Sequence, residues 1–341
     1  MSAQGIEYVE LYAGDQNSAV ELLEGEFGFT RIARTETADM DSVLLRQGGV
    51  QILVTSGPGT WKFLEEHGDG IADIALGCED VAATLESAAA AGASVTRSWR
   101  GDPVVSGFGD VTHTLLPLST SAAAPLPAGP GWTALGDAEQ RPAGPIRQLD
   151  HIAVCIDGGT LEQVADYYRD GFGLSRYSSE YLAVGDQAMD SIVVRSAFGH
   201  VTFTLVAPDP AKGAGQLDSF LLRNSGPGVQ HLAFLVDEII PTVHDFRARG
   251  VEFLNTPDSY YDLLAERFGD LGTEIAQLRE TQVLADRDEW GYLLQLFTRS
   301  PYERSTLFYE LIQRKGSRGF GSANIRALYE AVERDRVTAA E

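Results

Sequence analysis

The 341-residue chain carries 49 acidic and 26 basic residues, which give a formal net charge of −23. This charge argues against a binding surface for nucleic acid or for an anionic membrane, and the length predicts about two domains at roughly 150 residues each. The sequence contains no apolar run of the roughly 18 residues that a membrane-spanning helix needs, and the first residues lack the pattern of a secretory signal. Two cysteines, neither in a CxxC motif, fit a cytoplasmic protein.

The first half begins with an alternating apolar run at 6–15, which predicts a β-strand. A helical stretch follows, and then 41–58 predicts two strands around a tight turn. A further strand and helix are predicted within 68–95.

Residues 117–147 interrupt this pattern. They contain six of the fourteen prolines and few periodic apolar positions. Such a composition predicts a linker. The predicted domains are therefore 1–116 and 148–341.

The second half repeats the order of the first. Residues 149–158 correspond to 6–15, and 190–208 correspond to 41–58. Residues 226–253 match 68–95 at a constant offset of 158 residues. A repeat on this scale indicates a duplicated structural unit.

The repeat predicts an α+β fold, in which four βαβββ units pair into two open barrels with a concave surface. The last residues, 322–341, predict a helix with Ser322 as its N-cap. Its apolar stripe is expected to close the mouth of the second barrel, and it consists of Ile325, Leu328, Tyr329 and Val332.

The two halves differ at two equivalent strand positions. Tyr8 in the first half corresponds to His151, and Asp73 corresponds to His231. A single histidine in an apolar strand is more often a core residue than a metal ligand. Two histidines at duplicated positions favour a shared metal site, because the pseudo-symmetry brings both to the same concave face.

Glu310 is the candidate for a third ligand, since it is an acidic residue within an apolar strand. The alternative is an edge-strand charge or an ion pair with Arg314 or Lys315. The spacing favours a ligand, because His231 follows His151 by 80 positions and Glu310 follows His231 by 79. Two histidines and one carboxylate are typical of non-heme Fe(II) oxygenases, although the ligand types also suit Zn²⁺.

Four motifs then resemble a known family: LDHIAV, GVQHLAF, FYELIQRKG and GFG-x2-N. They are similar to the family that contains 4-hydroxyphenylpyruvate dioxygenase and 4-hydroxymandelate synthase, within the vicinal oxygen chelate superfamily. The resemblance covers nearly the whole chain and is strongest over 148–335. It implies a catalytic second half, with Fe(II) on His151, His231 and Glu310.

The resemblance also implies the substrates, 4-hydroxyphenylpyruvate and O2. The dioxygenase oxidises the ring and yields homogentisate, whereas the synthase hydroxylates the benzylic carbon and yields 4-hydroxymandelate. Ile325 stands where dioxygenases have Phe, and Thr204 and Val206 also match the synthases. These positions favour the synthase, whose product leads to 4-hydroxyphenylglycine in peptide antibiotics. The alternative for Ile325 is drift at a core position of the helix. Ala207 matches neither the dioxygenases nor the synthases, because Glu is usual at this position. The sequence does not explain this difference.

The same resemblance implies further pocket residues. Polar positions expected to contact the phenol or the carboxylate are Ser191, Gln216, Gln230 and Gln295, with a turn cap as the alternative role of Gln216. Phe320 and Asn324 are expected at the closing helix, where Phe320 stacks on the substrate ring.

Two other functions stay open at this point: the dioxygenase reaction, and a non-catalytic binding protein of the same fold. The family suggests a homodimer.

Overall fold

The computed structural model describes residues 2–119, 131–135, 144–268 and 272–321, together with Asn324 and Arg326. For 263, 265–268, 272 and 273 it describes the backbone alone.

A nine-stranded sheet forms the first half. Its strands are β1 (Ala3–Tyr12), β2 (Thr30–Glu36), β3 (Asp41–Gln47), β4 (Val50–Ser56), β5 (Gly70–Cys78), β6 (Val95–Arg97), β7 (Pro103–Ser106), β8 (Thr112–Pro117) and β9 (Thr133–Ala134). They lie in the order β6-β7-β8-β5-β1-β4-β3-β2-β9. The helices are α1 (Gln16–Glu21), which continues as a π-helical turn, α2 (Trp61–His67) and α3 (Val81–Ala90).

An eight-stranded sheet forms the second half. Its strands are β10 (Ile146–Cys155), β11 (Ser175–Val184), β12 (Gln187–Arg195), β13 (Thr202–Pro208), β14 (Gly228–Val236), β15 (Leu284–Arg287), β16 (Tyr292–Phe297) and β17 (Phe308–Lys315), in the order β11-β12-β13-β10-β14-β17-β16-β15. Its helices are α4 (Leu161–Phe172), α5 (Gln216–Asn224), α6 (Ile239–Arg249), α7 (Asp258–Phe268) and α8 (Gly272–Thr281).

The predicted fold is confirmed, because each sheet is built from two βαβββ units. The first strands of the two units pair antiparallel at the centre, as β1 with β5 and β10 with β14. Each central strand then pairs in parallel with the last strand of its own unit. The sheet therefore curves around the two central strands, and residues on their concave side come together.

Local sequence sets where these units begin and end. The carboxylates of Asp15 and Asp80 accept hydrogen bonds from the backbone amides of Ser18 and Ala83, which caps α1 and α3. Helix α4 ends at Gly173, whose left-handed backbone (φ 71°) suits glycine.

One apolar core joins the two halves. Phe27 of the first half packs against Tyr309 and Phe246 of the second, with ring centroids 4.9 and 5.4 Å apart. Within the described residues no helix is long and apolar enough to cross a membrane.

The segment predicted as a linker contains a short strand. Thr133 and Ala134, in β9, pair with Arg34 and Ala33 of β2. A strand of two residues has no periodicity, so sequence patterning gives no sign of it. The helix predicted from Ser322 onward lies outside the described residues, apart from Asn324 and Arg326, which are helical.

Candidate metal centre and substrate pocket

The three predicted ligands lie on adjacent strands. His151 is on β10, His231 on β14 and Glu310 on β17. His151 pairs with Ala233, and Ala233 pairs with Glu310 on its other side. His231 lies two residues before Ala233, so all three side chains project from the same face of the sheet.

The donor atoms of these side chains converge. His151 Nε2 lies 3.3 Å from His231 Nε2 and 3.4 Å from Glu310 Oε2, and His231 Nε2 lies 3.1 Å from Glu310 Oε2. Metal bonds of about 2.1 Å that meet near a right angle place their donors about 3 Å apart. The spacing and the donor types therefore fit a divalent metal ion.

The electrostatics of this cluster favour a positive charge between the donors. Burial would raise the pKa of Glu310, but the two histidines outweigh it and lower that pKa to about 2. Burial would lower the pKa of His151, but Glu310 and Asp150 raise it to about 9. Glu310 is thus ionised, and a cation at this point is stabilised.

Each ligand is oriented by a neighbouring side chain. His151 Nδ1 lies 2.9 Å from an oxygen of Asp150, and Gln295 Nε2 donates to Glu310 Oε1 at 2.7 Å. His231 Nδ1 lies 3.3 Å from Gln230 Oε1. Because both Nδ1 atoms face acceptors, they carry the proton of each neutral imidazole, and the Nε2 atoms are the ones that would bind a metal.

A cavity of about 310 Å³ opens beside the three ligands. This volume falls in the range of small-molecule sites. Five predicted pocket residues line it: Thr204, Gln216, Gln230, Gln295 and Phe320. The rest of the wall is largely apolar and includes Met189, Val206, Leu217, Leu254, Phe297 and Phe308.

Two predicted pocket residues lie next to this cavity but do not line it. Ser191 pairs with Val206 across the sheet, and its hydroxyl donates to the backbone carbonyl of Glu180. Asn324 is buried and donates from Nδ2 to Gln295 Oε1 at 2.9 Å. These hydrogen bonds support the wall of the cavity, and the predicted contact of Ser191 with the substrate stays a prediction. Ile325 lies outside the described residues.

The structure also explains Ala207. Residues alternate along β13, so Thr204 and Val206 face the cavity while Leu205 and Ala207 face the apolar core. A glutamate side chain at this position would enter the core. The small apolar side chain of Ala207 therefore fits this core-facing position.

Asp150 and Arg314 support the site without having been predicted. Arg314 forms a bidentate ion pair with Asp150, at 2.6 and 2.8 Å. From the sequence, Arg314 was considered only as an ion-pair partner of Glu310, and no role was predicted for Asp150. The feature of the sequence that could have pointed to Asp150 is its position directly before His151.

The equivalent place in the first half holds a different set of groups. Tyr8 and Asp73 are buried there, and Arg100 Nη2 donates to Tyr8 at 2.6 Å and to Glu10 at 3.1 Å. In the first half the buried Arg100 therefore lies where the second half has the converging donor atoms of His151, His231 and Glu310.

A duplicated βαβββ fold with two histidines and one glutamate beside a cavity is typical of the non-heme iron dioxygenases of the glyoxalase fold. Residues 148–296 match the model of the Glyoxalase/Bleomycin resistance protein/Dioxygenase superfamily. Residues 1–116 match the N-terminal model of hydroxyphenylpyruvate dioxygenase. The chain belongs to the 4-hydroxyphenylpyruvate dioxygenase family.

Individual relatives agree with this family. The 4-hydroxyphenylpyruvate dioxygenase of Yarrowia lipolytica is 30% identical, over 98% of this chain and 93% of its own. That of Neurospora crassa is 34% identical, over 81% and 71%. The solved structure of a triple mutant of 4-hydroxymandelate synthase from Streptomyces coelicolor is 49% identical, covers 98% of this chain and all (100%) of its own, and has a TM-score of 0.91.

Proposed function

We propose that this enzyme oxidises 4-hydroxyphenylpyruvate with O2 to 4-hydroxymandelate and CO2, using Fe(II) held by His151, His231 and Glu310. The convergence of these donors in the wall of a cavity is the observation that carries the proposal. Bound Fe(II) supplies a Lewis acid for the α-keto acid group and electrons for the reduction of O2.

The cavity suits an aromatic keto acid. The keto acid end belongs beside the three ligands, and the ring belongs against apolar side chains such as Leu217 and Phe320. Thr204 Oγ1 is buried and has no hydrogen-bond partner in the described structure. The phenol hydroxyl of the substrate would be a hydrogen-bond partner for Thr204 Oγ1. Such a partner is favourable because a buried polar atom without one costs free energy. Apolar walls around the reacting end exclude water from the reaction.

The choice of product depends on which carbon of the substrate faces the metal. Val206 presents an apolar side chain to the cavity, as the resemblance to the synthases implies. The 49% identity with a synthase, against 30–34% with the two fungal dioxygenases, supports the same product. A role in making 4-hydroxyphenylglycine for peptide antibiotics follows from that product.

Homogentisate formation is the second candidate. It is favoured by the match of 1–116 to the N-terminal hydroxyphenylpyruvate dioxygenase model.

We also propose that 1–116 form a non-catalytic domain and 148–341 the catalytic one, with 117–147 between them. Arg100, buried beside Tyr8 and Glu10 in the first half, supports this division. The cytoplasmic location, which two buried free cysteines fit, and the homodimer stay predictions.

The test is to load the protein with Fe(II) without oxygen, then add 4-hydroxyphenylpyruvate and O2 and identify the product by chromatography and NMR. NMR is needed because 4-hydroxymandelate and homogentisate are isomers. 4-Hydroxymandelate is expected, and homogentisate would establish the second candidate. The absence of both, with iron bound, would overturn the substrate.

Two variants extend this experiment. His231→Ala should abolish turnover while circular dichroism shows an intact fold, since it removes one of three ligands. Retained turnover would reject the proposed ligand set. Ile325→Phe should move the product toward homogentisate, and an unchanged product ratio would argue against a steering role for Ile325.

A further inference from the structure

Arg314 lies directly behind the metal ligands and makes contacts in two directions. Toward the site, its Nε donates to Asp150 Oδ2 at 2.6 Å and its Nη2 donates to Asp150 Oδ1 at 2.8 Å. Asp150 Oδ1 also accepts from His151 Nδ1 at 2.9 Å. Asp150 is almost entirely buried, with 9% of its side chain exposed, so this orientation of His151 depends on Arg314.

In the other direction, Arg314 holds the loop that follows β17. Its Nη1 donates to the carbonyl of Gly319 at 2.7 Å and to that of Ser317 at 3.3 Å. Its guanidinium lies 5.2 Å from the ring centre of Phe320. Phe320 lines the substrate cavity and meets the ring of His151 edge to face, at 5.3 Å between centroids.

A second anchor holds the same loop without touching the ligands. Asp288 Oδ2 accepts from the Ser317 hydroxyl at 2.8 Å and from the backbone amides of Arg318 and Gly319 at 2.7 and 2.8 Å. The loop thus has one anchor tied to His151 and one independent of it. This difference allows the two to be separated by mutation.

We propose that Arg314 is a positioning residue that couples the orientation of His151 to the placement of the loop carrying Phe320. Metal binding and ordering of this cavity wall then favour each other, since both require the same guanidinium position. The planar guanidinium group has several N–H donors and can therefore reach both Asp150 oxygens and the Gly319 carbonyl at once. The ammonium group of a lysine cannot, so lysine cannot replace arginine here. The inference rests on the proposed metal ligands, but not on the proposed substrate.

The experiment uses Co(II) as the metal and no substrate. Co(II) affinity is measured by the metal's visible absorption, and loop order by the rate of tryptic cleavage after Arg318, an exposed residue of the loop. Mass spectrometry identifies that cleavage site. In the wild-type protein, saturating Co(II) should slow this cleavage by about tenfold.

Arg314→Lys should weaken Co(II) binding by at least about tenfold and abolish the protection of the loop by metal. Arg247→Lys is the matched control, because Arg247 also donates to a backbone carbonyl, that of Thr281, and stacks on Phe253. Neither Arg247 nor these two partners are among the described residues that line the cavity. This control should leave both readouts unchanged. Asp288→Asn should speed cleavage while the Co(II) affinity stays within about twofold of the wild-type value.

If Arg314→Lys folds poorly, Asp150→Asn serves in its place, since it removes a charged anchor of Arg314 without changing the loop. It should weaken Co(II) binding and also reduce protection at Arg318. A variant that loses metal affinity but keeps full protection by metal would overturn the coupling. Because neither readout uses the keto acid, a wrong substrate would show only in the product assay.

Discussion

At the scale of single residues, Thr204 has an unusual environment. Its Oγ1 is buried in the cavity wall and lacks a hydrogen-bond partner in the described structure. If the phenol of 4-hydroxyphenylpyruvate is that partner, Thr204→Val should raise KM for this substrate about fivefold, since such a bond contributes about 1 kcal/mol. Phenylpyruvate, which lacks the hydroxyl, should show an unchanged KM and is the matched control.

Steady-state kinetics with both acids measure this difference. Equal changes in KM for the two acids would show that Thr204 acts through cavity shape and not through the hydroxyl.

Single residues also show what the sequence could predict about the site. The comparison of the two halves predicted His151 and His231 as ligands, and Glu310 was predicted because it is an acidic residue within an apolar strand. The hydroxyl of Ser191 donates to the backbone of a neighbouring strand, a contact that the sequence did not predict. The partner of Asp150 lies 164 residues away, at Arg314, and no local pattern predicts so distant a pair.

At the scale of elements, α7 is connected to the metal site through a chain of hydrogen bonds. The hydroxyl of Tyr260 on α7 lies 2.9 Å from Asn324 Oδ1 and 2.8 Å from the carbonyl oxygen of Ala285, so its one proton is shared between these two acceptors. Asn324 donates to Gln295, and Gln295 donates to Glu310. Tyr260→Phe leaves Asn324 Oδ1 buried without this donor and loosens Gln295. We expect Co(II) binding to weaken about fivefold, for a loss of about 1 kcal/mol.

Tyr167→Phe is the control for this prediction. Its hydroxyl donates to the backbone carbonyl of Ser106, and neither residue lines the cavity. It should lower stability without changing Co(II) affinity. Equal Co(II) affinities in both variants and the wild-type protein would contradict a role for this chain of bonds.

The elements differ in how far the sequence predicts them. Alternating apolar residues identify the paired strands of each unit, since one face of each strand must meet the core. Helices α7 and α8 lie between α6 and β15 of the fourth unit. They have no counterpart in the other units, so the repeat gave no indication of them.

At the scale of the whole molecule, a buried histidine connects the two halves. His113 lies fully buried on β8. Its Nδ1 donates to the carbonyl of Ile74 at 3.1 Å, so its Nε2 accepts from the hydroxyl of Tyr168 in the second half, at 2.8 Å. Its ring also stacks on Phe203, with centroids 5.9 Å apart.

This arrangement holds His113 neutral and makes the stability of the protein sensitive to acid. Burial lowers the pKa of His113 from 6.5 to about 4, although the Ile74 carbonyl partly opposes the shift. Between these values the unfolded chain binds a proton that the folded protein does not. The contribution of His113 is therefore complete above pH 6.5 and is lost as the pH falls toward 4, by up to about 3 kcal/mol.

His113→Gln removes this titration, so the variant should be less stable than the wild-type protein above pH 7, and the difference should shrink as the pH falls. Urea unfolding at several pH values between about 4.5 and 7.5 measures it. His244→Gln, at an exposed position on α6, is the matched control for replacing a histidine by glutamine, and it should change the free energy of unfolding little at neutral pH. A constant difference for His113→Gln would mean that His113 stabilises the contact between the halves by packing alone.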